Sequence, residues 1–213
     1  MKKVLFYWVI FLFIAGCKKD NNNNNNQTAT DIFPNKIGDT WHYLVNDTTV
    51  NRNTPNDSPA VQYTLTVSVI DSIQLRGGIR ANVWVYIYPD RTDTNYVVQK
   101  EDTIRFIDIN QTIYSVYAKQ YIIPMSLHNS WQYSTPSFND ITVDLQSNII
   151  VGQNHFDNAF HLYGNAGMPD AGFVVEEWIE NNVGLVKRHF NPSNMLIDPR
   201  HVTAWSLVSY HLE

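Results

Sequence analysis

From Asp31 to the end of the chain, apolar side chains recur at every second residue rather than every third or fourth, and this period confines the chain to β-strands. Val61, Tyr63, Leu65, Val67 and Val69 alternate with Gln62, Thr64, Thr66 and Ser68, the pattern of an antiparallel strand with one buried face. Gly77-Gly78 then marks a turn into a second strand over 79–88. Short strands are predicted at 96–100, 103–109 and 112–117, and again at 141–151, 173–179, 185–190 and 202–212. Asn181, Asn182 and Gly184 tolerate positive φ and supply the turn between the strands at 173–179 and 185–190; Pro192 and Pro199 bound a loop. No stretch carries a helical stripe. The expected fold is all-β, an antiparallel sheet strongly curled into an open or half barrel.

One eleven-residue phrase occurs twice: Phe33-Pro-Asn-Lys-Ile-Gly-Asp-Thr-Trp-His-Tyr43 and, 90 residues later, Ile123-Pro-Met-Ser-Leu-His-Asn-Ser-Trp-Gln-Tyr133. Pro, Trp and Tyr are unchanged, and the pairs Phe/Ile, Ile/Leu, Asp/Asn and Thr/Ser keep their side-chain character. The phrase reads as the opening strand of two related halves, about 33–118 and 123–212, within one β domain at 31–213. The alternative is coincidence between two strand starts in a chain rich in Trp and Tyr. His128 stands where the first copy has Gly38, so the second copy need not repeat the turn. Residues 156–163 also echo 79–86, pairing Tyr163 with Tyr86.

The amino terminus has a different character. Met1-Lys-Lys is basic, residues 4–14 are apolar, and small residues precede Cys17, the single cysteine of the chain. Eleven apolar residues are too few for an ordinary membrane-spanning helix and suit a cleaved leader. Ile14-Ala15-Gly16-Cys17 resembles the lipobox of bacterial lipoproteins, which implies a signal peptide at 1–16, attachment of diacylglycerol to the Cys17 sulfur, and acylation of the new terminus by a chain such as palmitate. More than one acyl chain, at about 0.8 kcal/mol per buried methylene, makes a stable membrane anchor. Residues 17–30, with six consecutive asparagines, cannot build a core and form a tether reaching roughly 20 Å as a flexible coil. Lys18 after the cysteine favours the outer membrane by the sorting rule of enteric bacteria, with either face open. The Asn-rich tether is similar to those of Bacteroidetes lipoproteins.

Pro34, Gly38, Trp41 and Tyr43, followed by Trp178 and Val183-Gly-Leu-Val-Lys187, resemble a group of uncharacterised bacterial lipoproteins and secreted proteins. Their domains open with Pro-x-x-x-Gly-x-x-Trp-x-Tyr and later carry Trp…Val-Gly-Leu-Val-Lys. The resemblance implies a twisted sheet curled into an open barrel, similar to the half-barrels of periplasmic lipoprotein carriers, and brings no catalytic residues.

The remaining residues point away from catalysis. There is no Gly-x-Ser-x-Gly, no His-Glu-x-x-His and no phosphate-cradling glycine loop. Glu176 and Glu177 point to opposite faces of a strand, which makes them a poor acid/base pair and suggests a solvated edge. His155, Asp157 and His161 are the best candidate metal ligands, yet their spacing fits no strong motif, and no metal or cofactor is expected. The net charge of -5, falling to -7 without Lys2 and Lys3, opposes nucleic-acid binding.

The strand at 79–88 holds the most informative stripe, with Val83, Val85 and Ile87 on one face and Trp84, Tyr86 and Tyr88 on the other. Both faces are expected out of water, one against a core and one lining a concavity, with ordinary core on both sides as the alternative. Trp84, Tyr86 and Tyr88 are therefore the candidate ligand-binding residues, for a hydrophobic or amphipathic ligand or a glycan. The expected function is a non-catalytic, membrane-anchored envelope lipoprotein that binds or carries such a ligand. The alternative is an assembly partner docking to other envelope proteins. A deep cavity favours the first, a filled barrel with an exposed apolar patch the second.

Overall fold

The computed structural model describes residues 33–51, 53, 59–108, 117–134, 140–166, 172–192 and 199–213. Among them the chain forms twelve strands: β1 (Thr40–Val50), β2 (Ala60–Gln74), β3 (Arg80–Ile87), β4 (Thr92–Lys100), β5 (Thr103–Asp108), β6 (Lys119–Ile122), β7 (Ser130–Gln132), β8 (Asp140–Val151), β9 (Asn154–Ala166), β10 (Phe173–Glu180), β11 (Gly184–Pro192) and β12 (Arg200–His211). All pair antiparallel in one sheet, ordered β6-β5-β4-β3-β2-β1-β12-β11-β10-β9-β8-β7. Every pairing joins neighbours in sequence except β1 with β12, which runs from Thr40 opposite His211 to Val50 opposite Arg200. The free edges, β6 and β7, are brought together by Gln120. Its backbone N–H donates to the Tyr133 carbonyl (2.7 Å), and its side chain donates to the Gln132 carbonyl (2.8 Å). The sheet is thus strongly curled, as expected, into a nearly closed barrel. The strand expected at 112–117 falls mainly on residues outside those described, as do the leader, Cys17 and the tether. The short β6 was not anticipated.

Each half is a six-stranded meander, and the doubled phrase makes the same turn in both. In the first, Gly38 N donates to the Val69 carbonyl, Asp39 N to the Lys36 carbonyl, and Val69 N to the Asp39 carbonyl. In the second, His128 donates to Val143, Asn129 to Ser126, and Val143 to Asn129. Gly38 and His128 both take positive φ, 105° and 69°, so the turn survives the loss of glycine. A register shift follows each time, between Val69 and Asp71 and between Val143 and Leu145. Trp41 faces Val67 and Trp131 faces Ile141 in matching register, although the Trp41 indole donates to the Val183 carbonyl and that of Trp131 to Gln120.

The register corrects the second echo by one residue. Val69 faces Trp84 and Val143 faces Leu162, so Tyr86 corresponds to Gly164 rather than to Tyr163. A one-residue slip changes the face of every side chain; accordingly Tyr86 is buried while Tyr163 lies outside. The stripe on β3 also differs from expectation on its aliphatic side. Trp84, Tyr86 and Tyr88 face the barrel interior, whereas Val83, Val85 and Ile87 lie on the outer face, where Ile87 is 47% exposed. The interior core is continuous across both halves, and a smaller cluster of Leu75, Ala81, Val98, Ile107 and Tyr117 covers the outer face of β2 to β5.

The two turns should respond oppositely to substitution. A Cβ on Gly38 would lie 2.6 Å from Glu213 Cγ at a φ that side chains rarely adopt, so Gly38→Ala should cost about 1 to 2 kcal/mol. The exposed His128→Gly should stay within about 0.5 kcal/mol of wild type, since relieved strain offsets the chain entropy of glycine. Urea denaturation of the two variants checks this; equal losses would contradict it.

Candidate functional site

The side chain that organises the interior is Glu177, fully buried on β10. Phe173, Val175 and Ile179 share its strand face, so a carboxylate occupies a slot in an otherwise apolar row. The solvated-edge reading holds for neither oxygen of this residue. Tyr121 on β6 donates its hydroxyl to Glu177 Oε2 (2.7 Å), and Tyr133, just beyond β7, donates to Oε1 (3.0 Å). Arg188, the cross-strand neighbour on β11, places Nε 3.3 Å from Oε1, and Lys119 Nζ lies 3.8 Å away. The cluster spans the lumen and ties the β6–β7 edges to β10 and β11. Glu176 points outward to His189 (3.3 Å).

Burial raises the Glu177 carboxyl, but Lys119, Arg188 and the two tyrosine hydroxyls outweigh it and leave the group below the usual glutamate value, hence ionised. Burial and the neighbouring carboxylate push Tyr121 and Tyr133 far up, so both remain donors. Burial lowers the Lys119 ammonium to about 8, with Glu177 opposing and Arg188 adding to the fall. Arg188 stays charged, because the Glu177 carboxylate beside it opposes the effect of burial.

Beside this cluster the lumen opens into a cavity of about 300 Å³ at the end of the barrel carrying the β3–β4 turn. Tyr86, Tyr88, Phe173, Phe190 and Trp205 provide its rings, and Lys119 and Arg188 its cations. Of the residues singled out in the sequence, Tyr86 and Tyr88 line this cavity and Trp84 does not. Trp84 stacks on Trp41 (4.8 Å between centroids, 19° between planes) and on Phe33 (6.0 Å), and its indole donates to Asn35 Oδ1 (2.7 Å). The void it touches holds about 20 Å³, room for about one water. Lys119, Glu177 and Arg188 were missed, although each stands in an apolar alternation, which is the signal that could have found them.

The candidate metal ligands are not brought together. His155 lies 3.7 Å from Asp157 on the exposed surface, while His161 bonds Asp144 (2.7 Å) and stacks on Trp178 (4.4 Å). Among the described residues no group of three His, Cys, Asp or Glu could hold a metal ion. Lys187 of the Val-Gly-Leu-Val-Lys run lies over the Trp178 ring (4.4 Å), so this pair of motif residues meets on the outer face.

No protein-family model matches the chain, and no curated protein sequence matches it significantly. Two solved structures share a similar course of the chain. One, described as a "putative exported protein with YmcC-like fold" from Bacteroides fragilis, is 11% identical over 84% of this chain and 98% of its own, with a TM-score of 0.40. The other, described as a "putative lipoprotein" from Parabacteroides distasonis, is 12% identical over 84% and 97%, with a TM-score of 0.33.

Removing the central carboxylate leaves two cations without their partner, so Glu177→Gln should cost about 3 to 5 kcal/mol. Because the folded-state pKa of Glu177 is lowered, its contribution is present above the usual value of 4.5 and is lost as pH falls below it. The variant should therefore lose less stability on acidification than wild type, measured by urea unfolding between neutral pH and about pH 3. Trp84→Ala should cost about 3 to 5 kcal/mol, as for a packed core tryptophan, which thermal unfolding reads directly.

Proposed function

We propose that the chain is a non-catalytic lipoprotein, held by acylated Cys17 in the bacterial outer membrane, whose barrel binds a small amphipathic ligand at its open end. The anchor reading rests on the basic start, apolar run, small residues and single cysteine of the leader. The ligand reading rests on one observation, the cavity of about 300 Å³ in a barrel otherwise filled by stacked aromatics. That volume sits at the small end of ligand pockets, about 300 to 1,000 Å³, and rings beside a few polar groups are the usual lining of such sites. Tyr88 and Arg91 form the rim, with the guanidinium 4.0 Å over the ring. The cavity is too small for an extended glycan, so an amphipathic molecule is the better occupant.

The anchor is checked by labelled fatty-acid incorporation, which Cys17→Ala should abolish. The cavity is checked by filling it. Ala118 lines it and is exposed, so Ala118→Trp should weaken binding of the neutral fluorophore N-phenyl-1-naphthylamine by about tenfold or more with the melting temperature little changed. Undiminished binding in the variant, or none in wild type, would reject the cavity reading and favour docking through the outer face, where Ile87, Ile150 and Tyr163 are exposed.

A further inference from the structure

The cavity wall is electrically unbalanced where it meets the buried cluster. Lys119 and Arg188 carry two positive charges against the single carboxylate of Glu177, and the carboxylate is sealed while the cations are not. Side-chain exposure is 0% for Glu177, 16% for Lys119 and 21% for Arg188. Both oxygens of Glu177 are taken by tyrosine hydroxyls. The guanidinium is not used up by this pair: Arg188 Nε is close to Oε1 but points no N–H at it, and it finds no hydrogen-bond partner. Lys119 donates to the Tyr121 hydroxyl (2.9 Å), stands 3.8 Å from Glu177 Oε1, and lines the cavity beside Arg188. Asp93 also lines the cavity, but at its rim, half exposed and paired with Arg91 (3.3 Å), so its field is screened.

We infer that the amphipathic ligand is a monocarboxylate, its acid group held between Arg188 and Lys119 and its apolar body lying against Phe173, Phe190 and Trp205. This rests on the cavity reading above. One surplus positive charge matches one negative charge, and the planar guanidinium fork suits a carboxylate in particular. The ring of Trp205, 5.0 Å from the Arg188 carbon, and that of Phe190, 5.3 Å away, fix the plane of the fork and continue into the apolar wall. Inside a low-dielectric lumen such a pair discriminates head groups far better than in water.

The test compares three probes with the same eight-carbon chain, octanoate, octanol and octylamine, each displacing the fluorophore from the wild-type lipoprotein at neutral pH. Octanoate should bind at least about tenfold more tightly than octanol, about 1.4 kcal/mol, and octylamine more weakly than both. In Lys119→Gln the octanoate advantage should shrink several-fold while octanol is unchanged, a split that general loss of structure would not produce. Equal binding of octanoate and octanol would overturn the carboxylate assignment and leave the cavity reading standing. Failure of all three to displace bound fluorophore would overturn both.

Discussion

The buried carboxylate of Glu177 sets the conditions for the rest of this barrel. Glu177 enters the lumen from β10 and draws to itself two tyrosines and a lysine from the β6–β7 region and an arginine from the adjacent strand. An ion in such a place is tolerable only if its lone pairs are satisfied and its charge is met, which requires both walls to stand at a particular separation. The edges β6 and β7 share few backbone hydrogen bonds, so the cluster contributes much of what holds that seam against the opposite wall. The same arrangement props open the polar end of the lumen, where the cavity lies, while Phe33, Trp41 and Trp84 fill the other end and Phe106 stands between.

The two halves share a frame but not the site. By register, Glu177 in the second half corresponds to Asn95 in the first, since each faces the interior residue opposite Val143 or Val69, Leu162 in one case and Trp84 in the other. Tyr86 corresponds to Gly164, where Val175 Cγ1 lies 3.0 Å from the place a Cβ would occupy. The halves share turns, bulges and strand order, then differ at the positions that meet inside the lumen. Chemistry has collected where the two halves differ.

The sequence was readable wherever backbone geometry alone dictated the residue. Alternation along β2, the glycines at 77 and 78, and the asparagine turn before Gly184 each named their element without help from tertiary contacts. The four-residue β6 escaped because so short a strand shows no period. The slip between Tyr163 and Tyr86 arose from similarity of composition, which says nothing about the bulge that sets the face. Glu177 was hidden by its neighbour: two adjacent glutamates suggest water, and only the apolar residues two positions away on each side show that one of them is inside.

Strand order has a consequence in time. All pairings but one join strands that follow each other in the chain, so each half can assemble by local hairpins as soon as its residues are available. β1 is the exception, because its second partner is β12, far along the chain from it. Until residues 200–211 arrive, the eleven residues of β1 present an unpaired edge with Trp41, Tyr43 and Val45 beside it, the kind of edge to which another chain can add. The pairing that joins the two halves thus waits on residues 200–211, and the hold of Asp39 on the backbone N–H of Glu213 (2.9 Å) adds to it once β12 is in place.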